Sequence, residues 1–507
     1  MLQLKKYLCL LLVATMLLCP LAVLTGCGQN TETPDDTSKQ SGTANETEEG
    51  EDNRFVGIDY KDRPFRVYTS TAELDSGSSS SNFLIEGTAK TEGNRVNDAV
   101  LERNVLVEEL LGVKLEFTQT DIGIDGVSAD IRRLTQSGFD DYDLVINTIY
   151  AFSELLIEGN FRNILDEECV FDFERNYWYK DYMDDLRLMD GYQYVLAGDY
   201  FIDILRSAHL LLVNKDLYQN YYNRSANELY DLVSNYEWTF DKLNSICTGL
   251  YADLNTNNEV DDGDQFGFMT ASYWGGAIPF MISGNPTYIS RDEDGIPTVT
   301  IQEGERANQL AAEMSKIFNN DSANIGLSEV KDLLLSYTQN ECLVLGYQRL
   351  GSLENAILRS MEGDSAVLPY PMLFASDKKY TTSTHDTTYM GAILTTSTDM
   401  EFISTVTEVL CRETSKVLMP SYYKESLQVQ CVDDEKAAAM LDIIHDNFGQ
   451  SFVLAYNHAL GDQILQSFTT AIQDKREFSA VFASAARRIN KTLQNKITLF
   501  ERRNLND

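Results

Sequence analysis

One acidic stretch, Asp253 to Asp264, carries the side chains best placed for chemistry, and it reads DLNTNNEVDDGD. Its oxygen-bearing groups fall at the ligand positions of a twelve-residue calcium loop: Asp253, Asn255, Asn257, the Glu259 carbonyl, Asp261 and Asp264. Two positions depart from that pattern, because Asn258 stands at the usual glycine and Asp264 at the usual bidentate glutamate. The stretch predicts a bound Ca²⁺, and an acidic, solvated turn is the alternative.

The segments on either side of this loop decide what a calcium ion would do there. TFDKLNSICTGLY, before the loop, has apolar residues at helical spacing behind Thr239, a typical N-cap. QFGFMTASYWGG, after the loop, contains glycines and β-formers and does not indicate a helix. A calcium sensor needs a second helix that can swing open. We therefore expect a structural calcium ion rather than a sensor.

Catalytic patterns are weak in this chain. Adjacent acids such as Asp140 and Asp141 are expected by chance among 78 Asp and Glu residues. The four histidines show no metalloprotease spacing, and His209, in the apolar run SAHLLLV, is typical of a strand residue. The sequence contains no GxSxG elbow or phosphate-binding loop. We predict a protein that is not an enzyme, with a lipid-anchored glycosidase as the alternative.

Composition restricts the class of partner and the number of domains. The chain has 507 residues, a net charge of −37 and 43% hydrophobic residues. An excess of acids leaves few cations to neutralise phosphates, so nucleic acid is excluded as a partner. The length exceeds that of one ordinary core, which predicts two domains or lobes.

The N-terminus predicts export and lipid anchoring. Two lysines precede an apolar run that ends in Leu24-Thr25-Gly26-Cys27, a pattern that resembles the bacterial lipoprotein box. Cys27 would carry fatty acyl chains such as palmitate, and two or more chains anchor a protein stably. Residues 28–53 are polar, acidic and of low complexity, as in a flexible stalk. The expected location is the extracytoplasmic face of the cell membrane.

Strands and helices alternate through the body of the chain. FRVYTS, VKLEFTQ and DDYDLVINTIY are typical of strands, and helical patterns separate them. This βαβ order predicts a largely parallel sheet. The pattern starts again at SAHLLLVNKDLY, which indicates a second α/β lobe. Five scattered cysteines are expected to be mostly small, buried hydrophobes: Cys169, Cys247, Cys342, Cys411 and Cys431.

Six segments, in this order, resemble the extracellular solute-binding lipoproteins of ABC importers, in particular the family 1, sugar-type group. They are NDAVLERNVLVEELLGVKL, QSGFDDYDLVI, DGYQYVLAGDY, LLLVNKDLYQNY, YEWTFDKL and DLNTNNEVDDGDQFGF. The resemblance covers most of the chain. It implies a two-lobed α/β fold of the type II periplasmic-binding-protein class, with a ligand cleft between the lobes, a hinge, and delivery of the ligand to a membrane permease.

Five segments follow from this interpretation. They are a lipoprotein signal at 1–27, a disordered acidic linker at 28–53, a first lobe at 54–165 with a return near 325–375, a second lobe at 190–324 with a return near 385–430, and C-terminal helices at 431–507 that pack on the lobes.

Candidate ligand-binding residues follow strands, because open α/β sheets bind ligands beyond the carboxyl ends of their strands. Trp274 has small neighbours that leave its ring available as a platform for a sugar. The resemblance places further residues in the cleft, and the full set is Ser70, Thr71, Asn147, Asp199, Tyr200, Trp274, Tyr347, Arg349 and Tyr389.

The ligand class and the biological role keep alternatives at this point. An oligosaccharide is the favoured ligand, and a peptide or an acylated or aminated sugar fits the same pattern. A surface adhesion or signalling lipoprotein with the same fold is a further alternative to an importer component.

Overall fold

Two five-stranded sheets organise the computed structural model, which describes residues 53–70, 82–88, 95–261, 263–326, 330–361, 363–428 and 435–505. Residues from Arg54 onward belong to one compact unit. Cys27, residues 28–52 of the stalk, Thr71 and Cys431 lie outside the described residues.

The described part of the chain forms strands and helices over the following bounds. The strands are β1 Arg63–Ser70, β2 Val113–Thr120, β3 Leu144–Thr148, β4 Val195–Leu196, β5 His209–Asn214, β6 Phe266–Thr270, β7 Ile289–Arg291, β8 Pro297–Val299, β9 Ala323–Ile325, β10 Cys342–Arg349, β11 Ser365–Leu368 and β12 Tyr389–Ala392. The α-helices are α1 Asn82–Ile85, α2 Arg95–Leu111, α3 Ile124–Ser137, α4 Ile149–Ile157, α5 Lys180–Asp185, α6 Asp203–Arg206, α7 Lys215–Tyr222, α8 Glu228–Ser234, α9 Phe240–Cys247, α10 Ile278–Ser283, α11 Glu305–Phe318, α12 Val330–Thr338, α13 Ala356–Arg359, α14 Met400–Glu413, α15 Met419–Gln428, α16 Glu435–His445, α17 Ser451–Tyr456, α18 Gln463–Gln473 and α19 Phe478–Asn504.

The first sheet has the strand order β2-β1-β3-β12-β4. β1 is parallel to both β2 and β3, and β12 is antiparallel to β3 and β4. β3 is buried along its whole length, as expected for a strand covered on both faces. The second sheet has the order β11-β5-β10-β6-β9 and is also mixed. The predicted two-lobed α/β fold is confirmed.

The sheet pairing corrects the lobe assignment. β10 and β11, from the return near 325–375, pair with β5 in the second sheet, whereas β12, from the return near 385–430, pairs with β3 in the first. The two returns were therefore assigned to the wrong lobes. β4 also belongs to the first sheet, so the second lobe does not begin at residue 190. Apolar strand patterns indicate burial but do not specify the partner strand, which explains the error.

Two segments cross between the sheets and meet at their junction. One connects β4 to β5, and the other connects β11 to β12. The His209 amide donates to the Ser383 carbonyl at 2.8 Å, and the His385 amide donates to the Ser207 carbonyl at 3.2 Å. The crossovers thus form a short antiparallel pair at the hinge position of a two-lobed fold.

The C-terminal helices contact elements of both sheets. α17 packs on α4, which follows β3, and α18 packs on α11, which precedes β9. α19 is long and contacts both α4 and α11. Among the described residues, no helix is long and apolar enough to cross a membrane.

Local details bear on two of the sequence predictions. The Thr239 side chain accepts a hydrogen bond from the Lys242 amide, so Thr239 caps α9 as predicted. Cys247, Cys342 and Cys411 are buried free thiols, whereas Cys169 is only half-buried.

Candidate functional site

A cavity of about 150 Å³ lies where the two sheets, the second crossover and the C-terminal helices meet. Its walls come from α4 on the first sheet's side, from β5, β10 and the segment after β6 on the second, and from residues 384–386 between them. The lining residues are Tyr150, His209, Trp274, Ile278, Tyr347, Thr384, His385, Asp386, Leu454, Asn457, His458, Asp462 and Leu465.

Aromatic rings form much of the wall. Trp274 begins the 3₁₀ turn Gly275–Ala277 and keeps 36% of its surface exposed. Tyr347 lies at a bulge in β10 with φ +58°, a backbone conformation that a non-glycine residue rarely adopts. A Cβ atom at Gly275 would lie 3.0 Å from the Tyr347 ring, so glycine allows the two segments to approach. Such strain is common where a fold fixes a functional side chain.

A polar chain runs along the floor of the cavity. The Tyr347 hydroxyl lies 3.2 Å from His385 Nε2, and His385 Nδ1 lies 2.7 Å from Thr387 Oγ1 and 3.0 Å from Asp386. His209 is buried, and its Nδ1 lies 2.6 Å from Ser383 Oγ. The His209 ring stacks on Tyr347 with centroids 5.4 Å apart.

The C-terminal segment closes the opposite side. His458 Nδ1 lies 3.2 Å from an Asp462 carboxylate oxygen, and the Asn457 amide donates to the other oxygen at 3.2 Å. The His458 ring meets Tyr150 edge to face, with centroids 6.3 Å apart. This contact joins the C-terminal segment to α4, on the first sheet's side of the cavity.

Burial and charge set the ionisation of the floor. Burial, with His385 and Arg349 nearby, lowers the pKa of His209 well below its usual value, so its ring is neutral. Partial desolvation opposes the charge of Asp386, whose side chain keeps 51% of its surface exposed, but the contact with His385 and the charges of His385 and Arg349 outweigh it and lower the pKa of that carboxyl. The floor therefore combines a neutral imidazole with an ionised carboxylate.

The structure brings together only some of the predicted ligand residues. Trp274 and Tyr347 line the cavity. Arg349 is buried next to it, as the register partner of His209 across β5 and β10. Ser70 and Asn147 are buried in the first lobe, where the Ser70 hydroxyl donates to the Ile122 carbonyl and the Asn147 amide lies 3.3 Å from Ser128 Oγ.

Three other predicted residues lie away from the cavity walls: Tyr200, Tyr389 and Asp199. Tyr200 is fully buried, with the Arg103 guanidinium 5.0 Å above its ring. Tyr389 is buried at the start of β12, and its amide donates to an Asp203 carboxylate oxygen at 3.0 Å. Tyr200 follows a strand and Tyr389 begins one, but both side chains pack into the protein instead of facing the cavity.

Asp199 is buried and contacts two residues that line a second cavity of about 410 Å³. Asp199 accepts a hydrogen bond from the Tyr179 hydroxyl at 2.9 Å and lies 3.2 Å from His445 Nε2. Tyr179 and His445 line this cavity with Asn176, Trp178, Lys180, Asp181, Tyr182, Lys379, Asp446, Asn447 and Phe448. The Tyr182 hydroxyl lies 2.8 Å from Thr384 Oγ1, which places the two cavities on either side of the second crossover.

The acidic loop folds so that its side-chain oxygen atoms accept hydrogen bonds from amide groups of the same loop. The Asp253 carboxylate accepts from the Thr256 and Asn258 amides at 2.6 and 2.8 Å. The Asn255 side-chain amide donates to the Asp261 carboxylate at 2.9 Å. Asn258 has φ +63°, the conformation that glycine usually supplies at this position. Calcium binding by this loop stays a prediction.

Sequence reasoning missed most of the polar lining. His209 lines the cavity as well as beginning a strand, and His385, Asp386, His458 and Asp462 were not selected. Three of the four histidines of the chain therefore meet here. The available sequence signal for these residues was that histidine is rare in the chain. These residues are separated by up to about 250 positions in the sequence, and only the fold brings them together.

No protein-family model matches the sequence, and a comparison with curated proteins finds no match either. Solved structures do match. A cyclo/maltodextrin-binding protein complexed with maltotetraose has a TM-score of 0.55 at 11% identity and covers 86% of this chain and 99% of its own.

Two further structures are similar. The galacto-N-biose/lacto-N-biose I-binding protein of an ABC transporter from Bifidobacterium longum, in complex with lacto-N-biose, has a TM-score of 0.53 at 11% identity, covering 86% of this chain and 98% of its own. The GacH receptor of Streptomyces glaucescens, studied with acarbose, has a TM-score of 0.51 at 10% identity, covering 85% and 99%. The chain thus has the fold of these binding proteins over nearly their full length.

Proposed function

We propose that this chain binds a carbohydrate in the cavity at the junction of the sheets and is the substrate-binding component of an ABC importer. The observation that carries this proposal is the cavity wall itself. Trp274, Tyr347 and Tyr150 supply flat faces, and His385 and Asp386 supply polar groups beside them. Sugars present apolar faces and a rim of hydroxyl groups, so they need this combination. The likeness to binding proteins for maltotetraose and lacto-N-biose supports the same reading.

Capture would occur by closure of the two lobes. The cavity wall contains residues from α4 on one side and from β5 and β10 on the other, so a rotation of one sheet against the other changes its width. The paired crossovers supply the axis for such a rotation. Its present volume of about 150 Å³ is small for an oligosaccharide, so a more open form must admit a long ligand.

We also propose a transport partner and a cellular location for this chain. The chain would bind its ligand without turnover and pass it to the transmembrane subunits of a permease. The lipoprotein pattern ending at Cys27 supports attachment to the outer face of the cell membrane.

Thermal unfolding with a panel of sugars tests the proposal. Maltotetraose, lacto-N-biose and acarbose are the first probes, followed by monosaccharides and peptides. A ligand of the native state raises the unfolding temperature by mass action, so one sugar class should do so in proportion to the logarithm of its concentration. A shift with peptides alone would contradict a carbohydrate ligand.

Trp274→Ala should then weaken binding of the active sugar by at least about fivefold, since aromatic contacts contribute about 1 kcal/mol beyond buried area. Phe139→Ala is the matched control, because Phe139 is a 68% exposed ring outside the cavity. Isothermal titration calorimetry should give unchanged affinity for this control. Equal affinity in the two variants would remove Trp274 from the binding site.

A further inference from the structure

His209 has an unsatisfied hydrogen-bonding atom beside the cavity. Its side chain lines the cavity and is only 2% exposed, and Nδ1 is already engaged by Ser383 Oγ. Nε2 is buried and has no hydrogen-bond partner among the described residues. Buried polar atoms are rarely left without a partner, and a cavity wall is where a bound molecule can provide one.

The ring is held so that this atom keeps its position. Stacking on Tyr347 at an interplanar angle of 23° fixes the plane of the imidazole, and the contact with Ser383 fixes its rotation. The backbone of His209 is held as well, since its amide donates to the Ser383 carbonyl. Nε2 is therefore a preorganised group, which lowers the entropic cost of a bond to it.

A neutral imidazole restricts the chemistry of the bound group. One ring nitrogen donates and the other accepts, and the contact with Ser383 Oγ is compatible with either tautomer. A hydroxyl group both donates and accepts, so it satisfies Nε2 in both cases. A carboxylate can only accept and an ammonium can only donate, so each fits one tautomer alone.

The charges of the residues that line the cavity also favour a neutral sugar as the ligand. Asp386 and Asp462 both line the cavity, and the lining set within the described residues contains no lysine or arginine. Arg349 is buried beside the cavity without being one of its lining residues, and it acts on Asp386 by its charge. An anionic sugar would therefore meet two carboxylates and no lysine or arginine among the described lining residues.

We propose that His209 is a ligand-contacting and specificity-determining residue, whose Nε2 hydrogen-bonds a hydroxyl group of a neutral sugar, and that the cavity rejects sugars bearing a carboxylate. This inference rests on the proposed carbohydrate-binding function and adds to it the residue and the charge class.

Two isosteric substitutions separate a ligand contact from a structural one. The amide of Gln reaches about as far as Nε2, and the amide of Asn about as far as Nδ1. His209→Gln should therefore retain sugar affinity within about threefold, and His209→Asn should lose at least about tenfold, which is ~1.4 kcal/mol. A purely structural His209 predicts the reverse order, because the contact with Ser383 would matter most.

The measurement uses the full chain in a detergent without a sugar headgroup. The sugar among maltotetraose, lacto-N-biose and acarbose that gives the largest thermal shift with the wild type is the probe, and calorimetric titration gives its affinity for each variant. Thermal unfolding without sugar shows whether each variant is folded, and Ser383→Ala shows how much affinity depends on the orientation of the ring. The uronate counterpart of the probe sugar, tested on the wild type, should bind at least tenfold more weakly.

Each possible result of these experiments tests a different part of the inference. Binding of no sugar by the wild type would overturn the proposed function and this inference with it. Sugar binding that is equal in the Asn and Gln variants, or weaker in Gln, would overturn the role of His209 alone. Equal affinity for the neutral and the uronate sugar would overturn the charge selectivity.

Discussion

Replacing His445 with glutamine should destabilise the protein in a pH-dependent way. His445 ends α16 in the second cavity, and its two ring nitrogens lie 3.2 Å from Asp199 and 2.7 Å from Asp446. Burial opposes its charge, but the hydrogen bonds to these two carboxylates outweigh burial and raise its pKa to about 10. Asp199 follows β4 of the first sheet and α16 packs on β11 of the second, so the contact between His445 and Asp199 joins the two lobes.

The sign and size follow from proton linkage. The pKa of His445 is higher in the folded protein than the usual 6.5, so the folded state binds the extra proton. The stabilisation is complete below pH 6.5 and is lost as the pH rises towards 10. Each pH unit in that window changes the free energy of unfolding by at most about 1.4 kcal/mol, which bounds the total at ~5 kcal/mol.

Urea unfolding of the wild type and of His445→Gln at several values between pH 6 and pH 9.5 measures this effect. The difference between the two proteins isolates His445 and the groups in contact with it, because more distant groups titrate alike in both. We expect that difference to be largest at pH 6 and to shrink steadily at higher pH. His458→Gln is the control, since His458 is 71% exposed and its contact with Asp462 should contribute under about 1 kcal/mol. A constant difference for His445→Gln at all pH values would refute the reasoning.

Three further predictions test other parts of the molecule. Gly275→Ala should push on the Tyr347 ring and weaken sugar binding by about 1 kcal/mol in calorimetric titration; unchanged affinity would show that the ring can move aside. Asp253→Ala should lower the unfolding temperature more in calcium than in EDTA, where it loses only hydrogen bonds to its own loop; equal losses would contradict a structural calcium ion. Cys27→Ser should release the protein from membranes in a fractionation experiment, and continued membrane association would rule out Cys27 as the anchor.

The fold could be predicted from the sequence because buried strands and helices have a recognisable local pattern of apolar residues. β3 begins with the apolar residues 144–146 and is buried along its whole length, and Thr239 caps α9 through its own hydroxyl. The lobe returns were assigned wrongly because the apolar patterns of β10 and β12 indicate buried strands without indicating the partner strands. Their partners are fixed by contacts with β5 and β3, which are far away in sequence.

The candidate site was only partly accessible to the same reasoning. Trp274 stands out because a large ring with glycine neighbours has few packing partners. His209 has the sequence pattern of a buried strand residue, and it is one, but its Nε2 still lacks a partner. The burial of a whole residue therefore does not show whether each of its polar atoms has a hydrogen-bond partner. Tyr200 shows the converse, because it follows a strand and yet packs entirely inside the protein.

The second crossover contacts groups at both cavities through three consecutive residues, 382–384. The Ser383 hydroxyl contacts His209 at the first cavity, whereas the Thr382 amide donates to the Asn447 carbonyl at the second. Thr384 lines the first cavity and contacts Tyr182 from the second. A movement of residues 382–384 that widens one cavity would therefore displace groups at the other. The contacts of His445 in the second cavity should therefore influence how readily the first cavity opens to its ligand.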